Sequence, residues 1–113
     1  MTTLSTHVLD TMHGCPAAGV KLRLEDNSGA VLFLGETNTD GRCPGLIEAV
    51  PELASGRYAL VFAVADYFRG MGVTLAELPF LDEVRIAFGM ADEGHYHVPL
   101  LVSPFAYSTY RGS

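Results

Sequence analysis

The sequence predicts an all-β protein, an antiparallel β-sandwich of seven or eight strands with one short helix. Its apolar runs are short and are separated by frequent turn residues, and the 113 residues include 12 glycines and 6 prolines. Several runs alternate between apolar and polar side chains, which is the period of a half-buried strand. Many short strands with turn signals between them are typical of a two-sheet sandwich.

The first half of the chain predicts three strands and one further segment that could form a fourth. Residues 18–25 alternate loosely, with Val20, Leu22 and Leu24 on one face and charged residues on the other. A strong short-turn signal, Asp40-Gly41, follows the third run. The predicted strands are residues 4–10, 18–25 and 30–37, and residues 46–50 could form a short one.

The second half predicts a central strand, the helix and three more strands. Residues 57–64 form the most convincing central strand because they are a nearly unbroken apolar run. A single short helix is predicted over residues 65–71, since Asp66 can cap its first turn and Gly70 or Gly72 can end it. The remaining predicted strands are residues 83–90, 95–102 and 105–110. The chain shows no repeat or linker, so residues 1–113 are predicted to form one domain.

Composition and charge restrict the classes of partner. A net charge of −6 with only seven Lys and Arg argues against nucleic acid, which requires a basic face. The hydrophobic content of 49% is high for a small domain and suggests surfaces buried between subunits. No apolar run is long enough for a transmembrane helix and no signal peptide is evident, so a cytoplasmic protein without a membrane partner is expected. Cys15 and Cys43 fit free thiols, buried or half-buried, in a reducing compartment.

Strand periodicity separates the core-facing residues from the polar ones. In the run from residue 95, one face is apolar and is predicted to enter the core; it comprises Tyr96, Val98, Leu100 and Val102. The opposite face carries His95, His97, Pro99 and Leu101. Pro99 has no backbone N–H to donate to a neighbouring strand, which predicts an edge or irregular strand. Ser5, His7 and Leu9 share one face of the first strand, and Tyr110 and Gly112 share one face of the last.

Two histidines and an arginine suggest hydrolysis of a small, anion-prone ring. A neutral imidazole can take a proton from water, and a second histidine could hydrogen-bond the first or return the proton to the leaving nitrogen. The planar guanidinium group of an arginine can donate hydrogen bonds to a carbonyl oxygen that becomes an oxyanion. Because no Gly-x-Ser-x-Gly motif is present, direct attack by water is preferred over a covalent intermediate.

Taken singly, each of these residues has an ordinary structural interpretation. A lone strand histidine is usually on the surface or satisfied in the core, and Arg42 after Asp40-Gly41 would be a solvated loop charge. His95 and His97 could chelate a metal, but no third ligand is signalled nearby, so no metal is expected. His13 lies in a predicted turn and is interpreted as a surface residue.

The conjunction of several segments resembles the 5-hydroxyisourate hydrolase family, the transthyretin-related enzymes of urate breakdown. The resemblance covers essentially the whole chain. The matching segments are residues 4–10, 14–17, 39–42, 95–101, 103–104 and 110–113.

The resemblance implies a transthyretin-like β-sandwich that assembles as a homotetramer, a dimer of dimers, with active sites in the channel where the dimers meet. It implies no cofactor, and the substrate is 5-hydroxyisourate, which is hydrolysed to 2-oxo-4-hydroxy-4-carboxy-5-ureidoimidazoline. The family's catalytic residues match His7, Arg42 and His97. Residues predicted to contact substrate are His7, Arg42, Tyr110, Arg111 and Ser113.

Two other functions remain open alongside the hydrolase. Transthyretin carries thyroid hormone on the same fold, so a small-ligand carrier is the alternative. The carriers resemble this chain in the Ser-Pro strand pair but have other residue types at His7, Arg42, His97 and the terminal tetrapeptide, which favours the enzyme. A structural module of a larger assembly is the third interpretation.

Overall fold

Two four-stranded sheets form the body of the protein in the computed structural model, which describes residues 2–50 and 53–112. The strands are β1 (Thr2–Asp10), β2 (Cys15–Pro16), β3 (Lys21–Asp26), β4 (Val31–Glu36), β5 (Gly56–Ala63), β6 (Glu83–Met90), β7 (Gly94–Val102) and β8 (Tyr107–Thr109). The helices are α1 (Gly45–Ala49) and α2 (Val64–Gly70). Among the described residues, neither helix has the length or apolar character needed to cross a membrane.

One sheet has the order β2-β1-β7-β8 and the other has the order β4-β3-β5-β6. The predicted sandwich is therefore confirmed, with eight strands in the described part of the chain. Its antiparallel character has one exception, because β1 and β7 pair in parallel from Thr2↔Gly94 to Asp10↔Val102. Parallel neighbours require a long connection, and here most of the chain separates the two strands, so local patterns could not reveal the pairing.

Alternation along the strands places the core between the sheets. In β1 the even-numbered residues are buried and the odd-numbered ones are half-buried. The core face predicted for β7 is confirmed, since Tyr96, Val98, Leu100 and Val102 are all buried. The side chains with no exposed surface include Leu4, Val8, Leu24, Leu60, Phe62, Phe68 and Leu100.

Residues 46–49, most of the segment that could have formed a strand, belong instead to helix α1, so the prediction of a single helix is wrong. Pro44 precedes the helix with φ −61° and ψ −27°, a helical conformation that proline favours. Leu46 is the one buried residue of this five-residue helix. A segment so short presents neither a helical nor a strand period, so its sequence does not decide between them. The predicted helix over residues 65–71 is confirmed as α2, although Asp66 lies in its first turn without capping it.

Pro99 is buried within β7, which lies inside its sheet rather than at an edge. The ladder on the β8 side is nevertheless irregular at this point. Leu100–Val102 pair with β8, His97 pairs with Gly112 in an isolated bridge, and the residues between do not pair there. The hydroxyl of Thr109 donates to the carbonyl of Pro99 at 2.7 Å. A proline is tolerated here because no ladder donor is required of it.

Candidate active site

The outer face of the β2-β1-β7-β8 sheet brings together the two histidines and the arginine predicted from the sequence. His7 pairs with Arg42 in an isolated antiparallel bridge, which places the two residues directly opposite each other on the same face. In the parallel register, His97 lies opposite Ser5 and His7 lies opposite Pro99. His97 is therefore the diagonal neighbour of His7. Arg42, His7 and His97 form a row across the sheet, which we call the polar row.

A tight loop holds Arg42 beside β1. The side-chain oxygen of Asn38 accepts hydrogen bonds from the backbone N–H groups of Asp40 (2.9 Å) and Arg42 (3.1 Å). Gly41 has φ +75°, and a Cβ there would lie 2.4 Å from the carbonyl oxygen of Val8. Only glycine allows the loop to come this close to β1 in this conformation. The carbonyl of Gly41 accepts from the N–H of Val8 at 2.8 Å, which fixes the loop to the strand.

His7 has one ring nitrogen committed to this loop. Its Nε2 lies 2.9 Å from the carbonyl oxygen of Asp40. Because a carbonyl can only accept, Nε2 of His7 carries the hydrogen. When the ring is neutral its lone pair is therefore on Nδ1, and a second proton would enter there.

His97 is half-buried and is held in its neutral form. Its Nδ1 lies 2.7 Å from the hydroxyl oxygen of Ser5. Burial lowers the pKa of His97, and the charges of Arg42, His7 and His95 lower it further. At neutral pH the ring is thus uncharged and able to accept a proton. Within residues 2–50 and 53–112, no hydrogen bond reaches its Nε2.

The C-terminal segment closes over the His97 backbone. The N–H of Gly112 donates to the carbonyl of His97 at 2.8 Å. The guanidinium carbon of Arg111 lies 4.0 Å from the centre of the Tyr96 ring, a cation–π contact. Tyr96 and His97 are consecutive in β7 and point to opposite faces of the sheet. Arg111 therefore anchors the segment on the face away from the polar row.

Comparisons with known proteins agree on one family. The model of the HIUase/Transthyretin family matches residues 4–112. A 5-hydroxyisourate hydrolase of Mesorhizobium japonicum is 54% identical in an alignment 113 positions long, which covers 97% of this chain and 91% of the relative. The chain belongs to the HIUase/Transthyretin family.

Solved structures of related proteins show the same fold. A Klebsiella pneumoniae 5-hydroxyisourate hydrolase superposes with a TM-score of 0.85 at 35% identity, with all of both chains covered. Sea bream transthyretin in complex with thyroxine has a TM-score of 0.84 at 29% identity, covering 97% of this chain and 94% of that one. An (S)-allantoin synthase has a TM-score of 0.89 at 39% identity, and 99% of this chain spans 44% of that one. The predicted family and fold class are confirmed, as is the prediction of an enzyme, because the relatives are hydrolases.

Membership of the HIUase/Transthyretin family does not identify the individual site residues, which stay predictions. The structure brings His7, Arg42 and His97 together but places Tyr110 and Arg111 elsewhere. Tyr110 is exposed and borders, with Arg111, a groove of about 230 Å³ between β6 and the C-terminal segment. Arg42 borders a separate groove of about 410 Å³ that Ser5 and Ile47 also line. Ser113 lies outside the described residues, so its predicted contact with substrate stays a prediction.

Sequence reasoning missed three groups that shape the polar row: the hydroxyl of Ser5, the carbonyl of Asp40 and the backbone of Gly112, which lies so close to His97 that a Cβ would be 2.7 Å from the ring Cδ2. Ser5 had a signal, since it shares the outer face of its strand with His7. The other two depend on backbone positions that only the folded chain shows. No three His, Cys, Asp or Glu side chains in the described ranges are grouped to hold a metal ion.

Proposed function

We propose that this domain, residues 1–113, hydrolyses 5-hydroxyisourate to 2-oxo-4-hydroxy-4-carboxy-5-ureidoimidazoline at the polar row without a cofactor. The observation that carries the proposal is the convergence of Arg42, His7 and His97 on one sheet face from distant parts of the chain. These three residue types supply a base, an acid and an oxyanion partner, which are the groups that hydrolysis of a cyclic amide needs. The identity of 54% to a hydrolase of that name supports the choice of substrate.

His97 is the general base in this mechanism. It is the histidine whose pKa is lowered, by burial first and by Arg42 next, so it is neutral when water binds. Its Nε2, which no hydrogen bond from the described residues reaches, takes a proton from water while the water oxygen bonds to the ring carbonyl carbon. The carbon–nitrogen bond then breaks, and the departing nitrogen takes up the second water proton, which had remained on the attacking oxygen.

Arg42 and His7 act on the substrate around this base. Arg42 is exposed beside the open groove and directs its guanidinium charge at the carbonyl oxygen, which becomes an oxyanion during water attack. His7 is oriented through the Asp40 carbonyl, so its Nδ1 lone pair can take the proton that remains on the attacking oxygen and pass it to the departing nitrogen. Arg111 acts by anchoring the C-terminal segment on Tyr96. Tyr110 borders a separate groove, and its contact with substrate stays a prediction.

A small-ligand carrier is the alternative function. The fold is shared with sea bream transthyretin, whose structure is a complex with thyroxine. A carrier needs shape and apolar contact but no proton-transfer groups. The hydrogen-bonded, oriented histidines beside an arginine favour the hydrolase.

We infer a homotetramer, a dimer of dimers, because the polar row lies on an open sheet face that water would otherwise screen. Large apolar side chains that are exposed support self-association. Phe80 and Phe105 are 75% and 72% exposed with ring centres 6.4 Å apart, and Leu78 is 89% exposed. Light scattering should report four copies, and Phe80→Ser with Phe105→Ser should reduce that number. A wild-type monomer would contradict the inference.

A cytoplasmic location is part of the same proposal. The cysteines support it, since the structure leaves Cys15 and Cys43 as free thiols. Fractionation of expressing cells would check it, and recovery from the exported fraction would contradict it.

Decay of freshly generated 5-hydroxyisourate, followed in the ultraviolet, tests the proposed activity. Wild-type protein should accelerate the decay, and Arg42→Ala should lose about 10²- to 10³-fold, the effect of removing one oxyanion donor. Arg57→Ala is the matched control, because Arg57 is exposed at the start of β5 in the other sheet. A folded wild-type protein that leaves the spontaneous rate unchanged would reject the hydrolase and favour the carrier.

A further inference from the structure

A continuous chain of hydrogen bonds leads from His97 to the surface of the protein. The hydroxyl oxygen of Ser5 lies 2.7 Å from Nδ1 of His97 and 2.8 Å from Nε2 of His95. Nδ1 of His95 lies 2.6 Å from the hydroxyl oxygen of Thr3. The parallel register sets Ser5 opposite His97 and Thr3 opposite His95, so the four side chains form a ladder on the outer face.

The number of protons in this ladder restricts its hydrogen bonds to two arrangements. A serine hydroxyl has one hydrogen, so between two ring nitrogens Ser5 donates to one and accepts from the other. If Ser5 donates to His97, the neutral His97 ring carries its proton on Nε2. If His97 donates from Nδ1, Ser5 donates to Nε2 of His95, and His95 donates from Nδ1 to Thr3. Only the second arrangement leaves a lone pair on Nε2 of His97.

We propose that Ser5 and His95 form a relay that presents His97 to substrate with Nε2 unprotonated and carries a proton from His97 to solvent. This inference rests on the proposed hydrolysis. When Nε2 of His97 binds a proton from water, the Nδ1 proton moves to Ser5 and the hydroxyl proton of Ser5 moves to Nε2 of His95. One proton enters the ladder and the exposed His95 releases its Nδ1 proton to solvent, which leaves both rings protonated on Nε2. Proton exchange with solvent after product leaves restores the second arrangement. Ser5 and His95 are positioning residues, since they act on the substrate through His97.

The chemistry of amide hydrolysis requires such an exit for a proton. Water supplies two protons to an uncharged cyclic amide. One ends on the departing nitrogen, and the other is released because the new carboxyl group, whose pKa is about 4, is ionised at neutral pH. That second proton has to leave a site that substrate covers. A ladder that runs along the sheet to an exposed histidine lets it leave without displacing the substrate.

Charge also favours movement of a proton away from His97. Among the described residues, the groups that act electrostatically on His97 are Arg42 from the loop, His7 from β1 and His95 from β7 itself. A cation on His97 would lie near Arg42 and in a half-buried position. His95 is exposed and pairs with Thr3, four residues along β1 from His7 and its bridge to Arg42. A positive charge on His95 is thus better hydrated and farther from Arg42.

Two measurements on Ser5→Ala and His95→Ala test the relay. Nitrogen-15 NMR of the His97 ring reports which nitrogen is protonated, and it needs no substrate. Ser5→Ala should shift His97 toward the Nε2-protonated form and lower kcat by about 10-fold or more, a part of the 10² to 10⁴ that general-base catalysis supplies. KM should stay within about twofold, because Ser5 acts on the base and not on substrate.

Added imidazole distinguishes a relay from a structural role. His95→Ala should lower kcat in weakly buffering solution, and millimolar imidazole should restore it, because a small base can accept the proton at the exposed site. Ser5→Ala should not respond to imidazole, whereas Ser5→Thr, which keeps the hydroxyl, should retain most activity. Ser28→Ala, which removes a turn hydroxyl elsewhere, is the control.

Three results would overturn the relay: an unchanged His97 tautomer in Ser5→Ala, a wild-type kcat for His95→Ala at every buffer concentration, or a substrate-derived adduct on Ser5 by mass spectrometry. A wild-type protein without hydrolase activity would instead refute the proposed function. In that case the NMR result would still decide whether Ser5 orients His97.

Discussion

Gly112 packs against the ring of His97 so closely that a Cβ on residue 112 would lie 2.7 Å from Cδ2 of that ring. The same hypothetical atom would lie 3.1 Å from Cβ and 3.2 Å from Cγ of His97. Real Cβ atoms do not approach side chains at the first of these distances. The position therefore requires glycine for space, and this contact is one reason why the C-terminal segment matters to the site.

Gly112→Ala should displace the His97 ring or detach the C-terminal segment. Because a small misplacement of a catalytic group can cost about 10²-fold in rate, we expect kcat/KM to fall by about 10- to 100-fold. The melting temperature should change little, since the segment lies at the edge of the sheet. Gly70→Ala, at the end of α2 with open space around its Cβ position, is the control and should keep full activity. Equal activity in the two variants would contradict the prediction.

Period-two patterns predicted most of the fold because strand residues face the core or solvent according to local sequence. Residues 83–90 match β6 and residues 57–64 match β5 within one residue. The parallel β1–β7 pair and helix α1 were not predicted, since one depends on residues far apart and the other is too short to show a period. Strand patterns do not encode which neighbour a strand selects.

For the candidate site, the residue types and their face could be predicted, but their fine arrangement could not. His7 and His97 lie on the outer face, as the alternation indicates. Which face of the sheet the Arg111 side chain covers depends on the side from which the last residues approach β7. In the structure its guanidinium group lies over the Tyr96 ring. Backbone groups such as the Asp40 carbonyl carry no sequence signal, because every residue type has one.

The side chain of Asn38 fixes the loop that contains Asp40 and Arg42. The carbonyl of Asp40 orients His7, and Arg42 carries the guanidinium group of the site. Asn38→Ala removes the acceptor for two backbone N–H groups, so we expect a loss of about 1 kcal/mol in the free energy of unfolding. The greater effect should be on rate, with kcat/KM lower by about 10-fold, as the loop moves away from β1.

Asn27→Ala provides the comparison for Asn38, because Asn27 is an exposed turn residue whose side chain makes no hydrogen bond within the described ranges. Denaturant unfolding and steady-state kinetics measure both effects. If Asn38→Ala matched Asn27→Ala in both, the loop would not depend on this side chain.

The pKa of His97 should rise when Arg42 loses its charge. Burial is the main cause of the lowered pKa, and the neighbouring arginine is the next. Arg42→Gln removes a positive charge that disfavours the imidazolium, so the midpoint of His97 in an NMR titration should move to higher pH. Arg57→Gln should leave that midpoint unchanged, and a shift of equal size there would show that net charge is responsible.

The lowered pKa of His97 should also appear in the pH dependence of kcat/KM. A base acts only when unprotonated, so kcat/KM should increase with pH through the His97 midpoint and then level off. Because that pKa is lowered, the rise should lie below the usual histidine value of about 6.5. A rise centred above that value in the wild type would contradict His97 as the base.

Asp10 stabilises the fold as a buried carboxylate at the end of β1. Burial raises its pKa, but hydrogen bonds from the His13 N–H (2.9 Å), the Tyr67 hydroxyl (2.7 Å) and the His13 ring outweigh burial and leave the pKa lowered. Since the folded pKa lies below the unfolded value of about 3.9, the carboxylate adds stability above that pH. This contribution is lost as the pH falls through the folded pKa.

Tyr67→Phe should destabilise the protein by about 1–3 kcal/mol at pH 7, because it removes a donor from a buried charge. The variant should also unfold in acid at a higher pH than the wild type, since losing that donor raises the pKa of Asp10. Tyr58→Phe is the matched control, as its hydroxyl donates to the carbonyl of Ala54 near the surface. Urea unfolding measured from pH 7 down to pH 3 should show the difference between wild type and Tyr67→Phe shrinking in acid. A difference that stays constant with pH would mean that the lost stability comes from packing and not from the Asp10 carboxylate.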